Sequence, residues 1–221
     1  MKKNTFAACI AVLIMTVSAH AGSIFSSVNP ISSSQEASIE AWVDSVNIYK
    51  DREPGHRLVN VPIELTNDVD GPGEIIQNSN SDKTRADYQI EVTTNRLAVI
   101  YVGLDSRHSE SHPLAWMQDT SKTGLPSVFF DTGRTVDIDE GSTAENAGEG
   151  IDNQFNLWAT IAPAGTYNFF EQTFGGGSNN YFIAADETII ANVQEVPEPA
   201  ALSILGVGLC GLLTIRRRRR K

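Results

Sequence analysis

The chain has 221 residues, with 17 Lys and Arg against 27 Asp and Glu, a net charge of −10 at neutral pH and a pI near 4.8. Phosphate contacts need a basic footprint that so acidic a chain lacks, which argues against nucleic-acid binding. Its two cysteines, Cys9 and Cys210, both lie near the ends, so the body folds without a disulfide, and at this length it can bury a core large enough to do so.

The start, MKKNTFAACIAVLIMTVSAHAG, places Lys2 and Lys3 before a short apolar run and then Ala19-His20-Ala21. That order is the pattern of a secretory signal peptide, so residues 1–21 are read as a leader cut by signal peptidase after Ala21, with Gly22 as the mature start. A lipoprotein reading of Cys9 fails because the apolar run follows the cysteine instead of preceding it.

The two ends carry eight of the 17 cations but only one of the 27 acids. The exported segment 22–195 is left with nine against 26, a net charge near −17. Such a charge suits solubility, cation binding or a hydrated matrix.

Along this body, 22–35 is a Ser-rich lead-in, and 33–42 (SSQEASIEAW) has the composition of a short helix. Strands are expected over 43–49 and 57–65. In the turn LTNDVDGPGE (65–74), the oxygen-bearing Asn67, Asp68, Asp70 and Glu74 surround two glycines, a composition that suits Ca²⁺. The EF-hand register fails there, and an ordinary Asx turn is the competing reading.

YQIEVTT alternates Tyr88, Ile90 and Val92 against polar residues, and LAVIYVGL (97–104) is continuously apolar, as in a strand buried on both faces. RHSESHP then offers His108, Glu110 and His112. Two histidines four apart suit a metal on a helix, but Pro113 and the serines make this a loop. After a strand expected at 127–130, Asp131-Thr132-Gly133 matches one half of the aspartic-protease signature. The second carboxylate that this chemistry needs has no counterpart in the chain, which leaves a turn closed by Asp131 on its own backbone.

Val136 and Ile138 alternate with polar neighbours, 139–153 reads as an acidic surface loop, and FNLWATI puts Phe155, Leu157, Ala159 and Ile161 on one face. Strands follow at 166–171, 180–185 and 187–193. FGGGSNN (174–180) precedes a strand and not a helix, so it is no phosphate loop. Nine or ten short period-2 runs separated by Gly, Pro, Asn and Asp turns predict an all-β antiparallel sandwich or jelly-roll-like domain over 22–195. The body has no G-x-S-x-G and no cysteine nucleophile, and His56 stands in a polar turn, so no triad assembles. Of the tryptophans, Trp42, Trp116 and Trp158, the one beside Pro113 is the candidate for a sugar-stacking face, with core filling as the competing role.

The end combines three parts. Val196-Pro197-Glu198-Pro199 is biased toward extended backbone because each proline disfavours helix in the residue before it. Residues 200–215 carry no charge and would form a helix about 24 Å long, close to the ~30 Å bilayer core. Arg216, Arg217, Arg218, Arg219, Arg220 and Lys221 follow as a stop that stays on the cytoplasmic side.

Motif, span and basic stop in this order resemble the PEP-CTERM sorting signal of Gram-negative bacteria. The resemblance covers about the last 26 residues. It implies Pro197, Glu198 and Pro199 as the motif recognised by an exosortase, an inner-membrane-anchored precursor, and a final place at the cell surface, outer envelope or polysaccharide matrix. A second resemblance, carried by LAVIYVGLDSR, PLAWM, APAGTY and NYFIAAD, is to β-sandwich modules of exported polysaccharide-associated proteins. It implies Asp105, Arg107, Trp116 and Tyr181 as a carbohydrate-binding set. The expected function is therefore a non-enzymatic role in exopolysaccharide or biofilm, structural or weakly carbohydrate-binding, without a cofactor unless Ca²⁺ binds the 65–74 turn. The alternative is a secreted enzyme acting on polysaccharide or protein. Convergent carboxylates in a cleft would favour the enzyme, and a strip of exposed aromatics would favour binding.

Overall fold

The computed structural model describes residues 22–66, 71–107, 113–141, 151–172 and 177–187. The expected all-β, antiparallel architecture is what the chain forms. The strands are β1 (Phe25–Ser32), β2 (Ser38–Ala41), β3 (Arg57–Val59), β4 (Glu74–Gln77), β5 (Gln89–Thr94), β6 (Ala98–Asp105), β7 (Phe130–Asp139), β8 (Asn153–Ala162), β9 (Gly165–Phe170) and β10 (Phe182–Asp186). Two one-turn helices, α1 (Ile63–Thr66) and α2 (Thr120–Thr123), sit between them.

The strands form a three-stranded sheet, β1-β5-β9, and a seven-stranded sheet, β2-β4-β10-β6-β8-β7-β3. The chain passes from the large sheet to the small one between β4 and β5 and between β8 and β9, returning each time with the next strand. These crossings place β6 and β10 side by side at the centre of the large sheet. Every residue of β6 is buried, which explains its unbroken apolar sequence.

Two cores lie on opposite faces of the large sheet. Between the sheets, Ile90, Val92, Tyr167 and Phe169 meet Ile100, Val102 and Ile183, as the period-2 pattern of β5 and β9 requires. On the other face, Tyr101, Phe155, Leu157, Ala159 and Phe182 are covered by Trp42, Ile48, Tyr49, Leu58 and Leu65. That cover is an irregular segment, which corrects the strands expected over 43–49 and 57–65. Only Arg57–Val59 forms a strand, Asn47 and Tyr49 make isolated bridges to Arg57 and Asn78, and Ser45, His56 and Asn60 adopt left-handed φ values of 70°, 63° and 56° that no regular strand accommodates.

The helix expected over 33–42 is likewise replaced by β2, an edge strand on β4, and the Ser-rich lead-in contains β1. Pro30 is tolerated in β1 because that strand is an edge and its register shifts between Pro30 and Ser32. Asp131-Thr132-Gly133 forms a bulge in β7, where the Gly133 N–H donates to Asp131 Oδ1 at 2.8 Å. That is the backbone-bonding turn expected of it. No helix among the described residues is long and apolar enough to cross a membrane, and the leader, most of the 187–193 run and the tail at 196–221 lie outside them.

Candidate functional site

Because β6 and β7 end where β8 and β10 begin, one end of the molecule collects Asp105, Arg107, Glu140, Asn153, Asn179 and Asn180. Asp105 is buried at the last position of β6. Its Oδ1 accepts from the Arg107 N–H at 2.9 Å and Nε at 3.0 Å, and its Oδ2 from Arg107 Nη2 at 2.5 Å and the Asn179 N–H at 2.7 Å. Arg107 Nη2 also reaches Glu140 Oε1 at 3.0 Å, and that oxygen further accepts from Asn179 Nδ2 at 2.6 Å and from Asn153 Nδ2.

The network continues inward. Asn80 Nδ2 donates to Asn179 Oδ1 at 3.1 Å, the Asn180 N–H to Asn80 Oδ1 at 2.8 Å, and the Tyr49 hydroxyl to the Asn180 carbonyl. Asp51 accepts from the N–H groups of Asn80 and Ser81 and from the Ser81 hydroxyl, tying the cover segment to the same end.

Burial pushes the Asp105 carboxyl up, but the hydrogen bonds from the Arg107 side chain and the Asn179 and Arg107 N–H groups outweigh it and hold the pKa below the ordinary value. Burial, reinforced by Asp105, Glu140 and Asp51, pushes the Tyr49 phenol up, so it serves as a donor. General acid catalysis at neutral pH needs a carboxyl moved the other way, and a catalytic base needs an accessible lone pair. Asp105 offers neither: both of its oxygens are occupied. The arrangement clamps loop ends together.

Asp105 and Arg107 are thus brought together as an ion pair. Trp116 and Tyr181 are not brought to them: of the two roles open to Trp116, core filling is the one its burial matches, and Tyr181 is buried beside it. A turn of 3₁₀ helix at Ala115–Gln118 rolls Trp116 into the core between the sheets, against Phe129, Phe169 and Tyr181 at 5.5–6.0 Å, and its Nε1 donates to the Glu171 carbonyl. Tyr181 is fully buried there, its hydroxyl donating to the Phe170 carbonyl at 2.8 Å. Neither ring presents a face to solvent.

Of the Ca²⁺ candidates, Glu74 accepts the Phe25 N–H at 2.8 Å, while Asn67, Asp68 and Asp70 lie outside the described residues, as do His108, Glu110 and His112. No group of three or more His, Cys, Asp or Glu side chains is arranged to hold a metal among the described residues. The residues that sequence reasoning missed are Asn80, Glu140, Asn153 and Asn179. Asn80 and Asn179 lie in the Asx-rich runs NSNSD (78–82) and SNN (178–180), which read locally as turns, and Glu140 and Asn153 lie at the two ends of the 139–153 run, which reads as an acidic surface loop.

No family model, curated protein or solved structure matches the chain.

Proposed function

We propose that this is an exported, non-enzymatic β-sandwich protein, delivered through its C-terminal sorting tail to the envelope or an extracellular polysaccharide matrix, where it has a structural role. The observation that carries the reading is the uninterrupted order at 196–221 of Pro-Glu-Pro, uncharged span and basic stop, paired with a leader ending in Ala19-His20-Ala21. The body supports it in three ways. It needs no disulfide in an oxidising compartment, its charge near −17 suits a hydrated matrix, and its main carboxylate cluster is closed by its own hydrogen bonds.

In this reading the leader directs export, the tail halts in the inner membrane with the six cations inside, and an exosortase-type enzyme acts on the extended motif. The test follows the full chain and a Pro197→Ala, Glu198→Ala, Pro199→Ala variant in a Gram-negative host with and without its exosortase. The expected result is wild-type protein in the outer envelope or medium, with the variant retained in the inner membrane, as is wild type in the exosortase-free host. Equal distribution of all three would refute the proposal.

A further inference from the structure

The cover over the second core does not reach the end of the large sheet opposite the polar network. Leu97, Val128, Phe130 and Ile161 stand there 64%, 42%, 40% and 43% exposed. Register makes them neighbours. Ile161 pairs with Val99, two residues on from Leu97, and Phe130 pairs with Ala159, two residues back from Ile161. Ser127 bonds Thr160 toward the inter-sheet side, where Phe129 is buried, which leaves Val128 and Phe130 facing the same way as Ile161. Isolated apolar side chains on a surface are ordinary, but four on or just before the adjacent strands β6, β8 and β7 form a patch.

The first and last described residues, Gly22 and Glu187, both lie at this end. The Asn95 N–H donates to the Ile24 carbonyl at 2.8 Å and Asn95 Nδ2 to the Ser23 carbonyl at 3.2 Å, which sets Gly22 beside the turn into β6. Asp186 at the end of β10 pairs with Val99, and Glu187 ion-pairs with Arg96 at 2.9 Å, immediately before Leu97. Only twelve residues, 188–199, then precede the uncharged stretch. Fully extended they reach at most about 40 Å.

We propose that this end of the domain is a membrane-facing surface, and that in the tail-bearing precursor Leu97, Val128, Phe130 and Ile161 rest in the interfacial zone of a phospholipid bilayer. The inference depends on reading 196–221 as a membrane-inserted tail. Four partly exposed side chains bind a bilayer too weakly to hold a free domain, but a short tether raises their effective concentration at the surface to about the millimolar range.

Electrostatics favours the same orientation. Asp105, Asp137, Asp139, Glu140 and Asp152 gather at the far end of strands that run about 26 Å along β6, beyond the Debye length of about 8 Å from anionic headgroups. Of the acids at the near end, Glu187 is paired with Arg96, Asp186 is buried at the end of β10, and the exposed Asp131, next to Phe130, accepts the Gly133 N–H. Tail removal then ends the contact as well as the anchorage, so one cleavage frees the domain completely.

The test uses the full chain with Cys9→Ser and Cys210→Ser, reconstituted in phosphatidylethanolamine–phosphatidylglycerol vesicles that carry nitroxide-labelled lipid. A single environment-sensitive fluorophore is placed through Ile161→Cys, Val128→Cys or, at the polar end, Arg52→Cys. Flotation with the vesicles checks tail insertion separately. The expected result is quenching several-fold stronger at 161 and 128 than at 52. Adding Leu97→Asp and Phe130→Asp should abolish the difference at 161 without altering the circular dichroism spectrum. Flotation with equally weak quenching at all three positions would overturn the inference alone. An Ile161→Cys chain that forms a symmetric disulfide without quenching would assign the patch to a second copy and also overturn it. Failure to float would overturn the tail reading and this inference with it.

Discussion

Replacing Gly103 with alanine is expected to destabilise the domain by about 3 kcal/mol, the upper part of the range for overpacking a core. In a domain of this size that lowers Tm by about 6–12 °C. Gly103 lies within β6 directly opposite Phe182 of β10. A Cβ built there would stand 2.1 Å from Phe182 Cε1 and 2.3 Å from Cζ. The ring has nowhere to go, because it is fully buried against Phe155 at 5.4 Å and Trp42 at 6.3 Å. Strand propensity alone predicts the opposite sign, a gain of about 0.5–1 kcal/mol on replacing glycine. A thermal melt of Gly103→Ala therefore separates the two effects. In Gly103→Ala with Phe182→Ala the two changes should compensate, giving a combined loss smaller than the sum of the single losses. Gly103→Ala melting at or above wild type would contradict the packing of β6 on β10.

The second large effect is expected from Asp105→Ala. Removing one partner of a fully buried ion pair costs about 3–5 kcal/mol. Arg107 is 38% exposed and keeps Glu140, so about 2–3 kcal/mol is expected here. The loss includes the Asn179 N–H, which is left without its acceptor at the start of the segment leading into β10.

The same carboxylate gives the domain an acid limit. Its folded pKa lies below the unfolded value of about 3.9, so the unfolded chain takes up protons first as pH falls. The stabilisation is complete above that value and is lost as pH drops through the folded one. Urea melts between pH 3 and 7 should show a steep fall at the acid end for wild type and a shallower one for Asp105→Asn. An unchanged slope would place the acid sensitivity elsewhere.

The strands that were legible in the sequence are those with both a pattern and a core to face. β5, β8 and β9 alternate because one face of each is buried, and β6 is continuous because both are. β1 was hidden because an edge strand with a single fully buried side chain, Phe25, can be built from serines and a proline. β2 read as helix because four residues on an edge cannot outweigh the Ala and Glu around them. Residues 42–66 carry the apolar content of strands but serve as irregular cover, a distinction that depends on tertiary packing and not on periodicity.

The polar network was not legible because its partners are far apart in sequence. Asp105 and Asn179 are separated by 74 residues and Asn80 and Asn180 by 100, while each residue alone looks like turn chemistry. Trp116 and Tyr181 are hard to place from sequence for a related reason: the 3₁₀ turn that folds Trp116 inward has no period to read. The proposed sorting tail is of a different kind, since a linear peptide would be recognised as a linear peptide and the order of its parts would be the whole signal.

If the chain is exported and processed at both ends, as we propose, the intact mass of the protein from the native host's envelope and medium records both cuts. The expected species begins near Gly22 and ends between Val196 and Pro199, with the six terminal cations absent. A species that keeps Arg216–Lys221 in the mature envelope fraction would contradict it and leave a permanently tail-anchored protein.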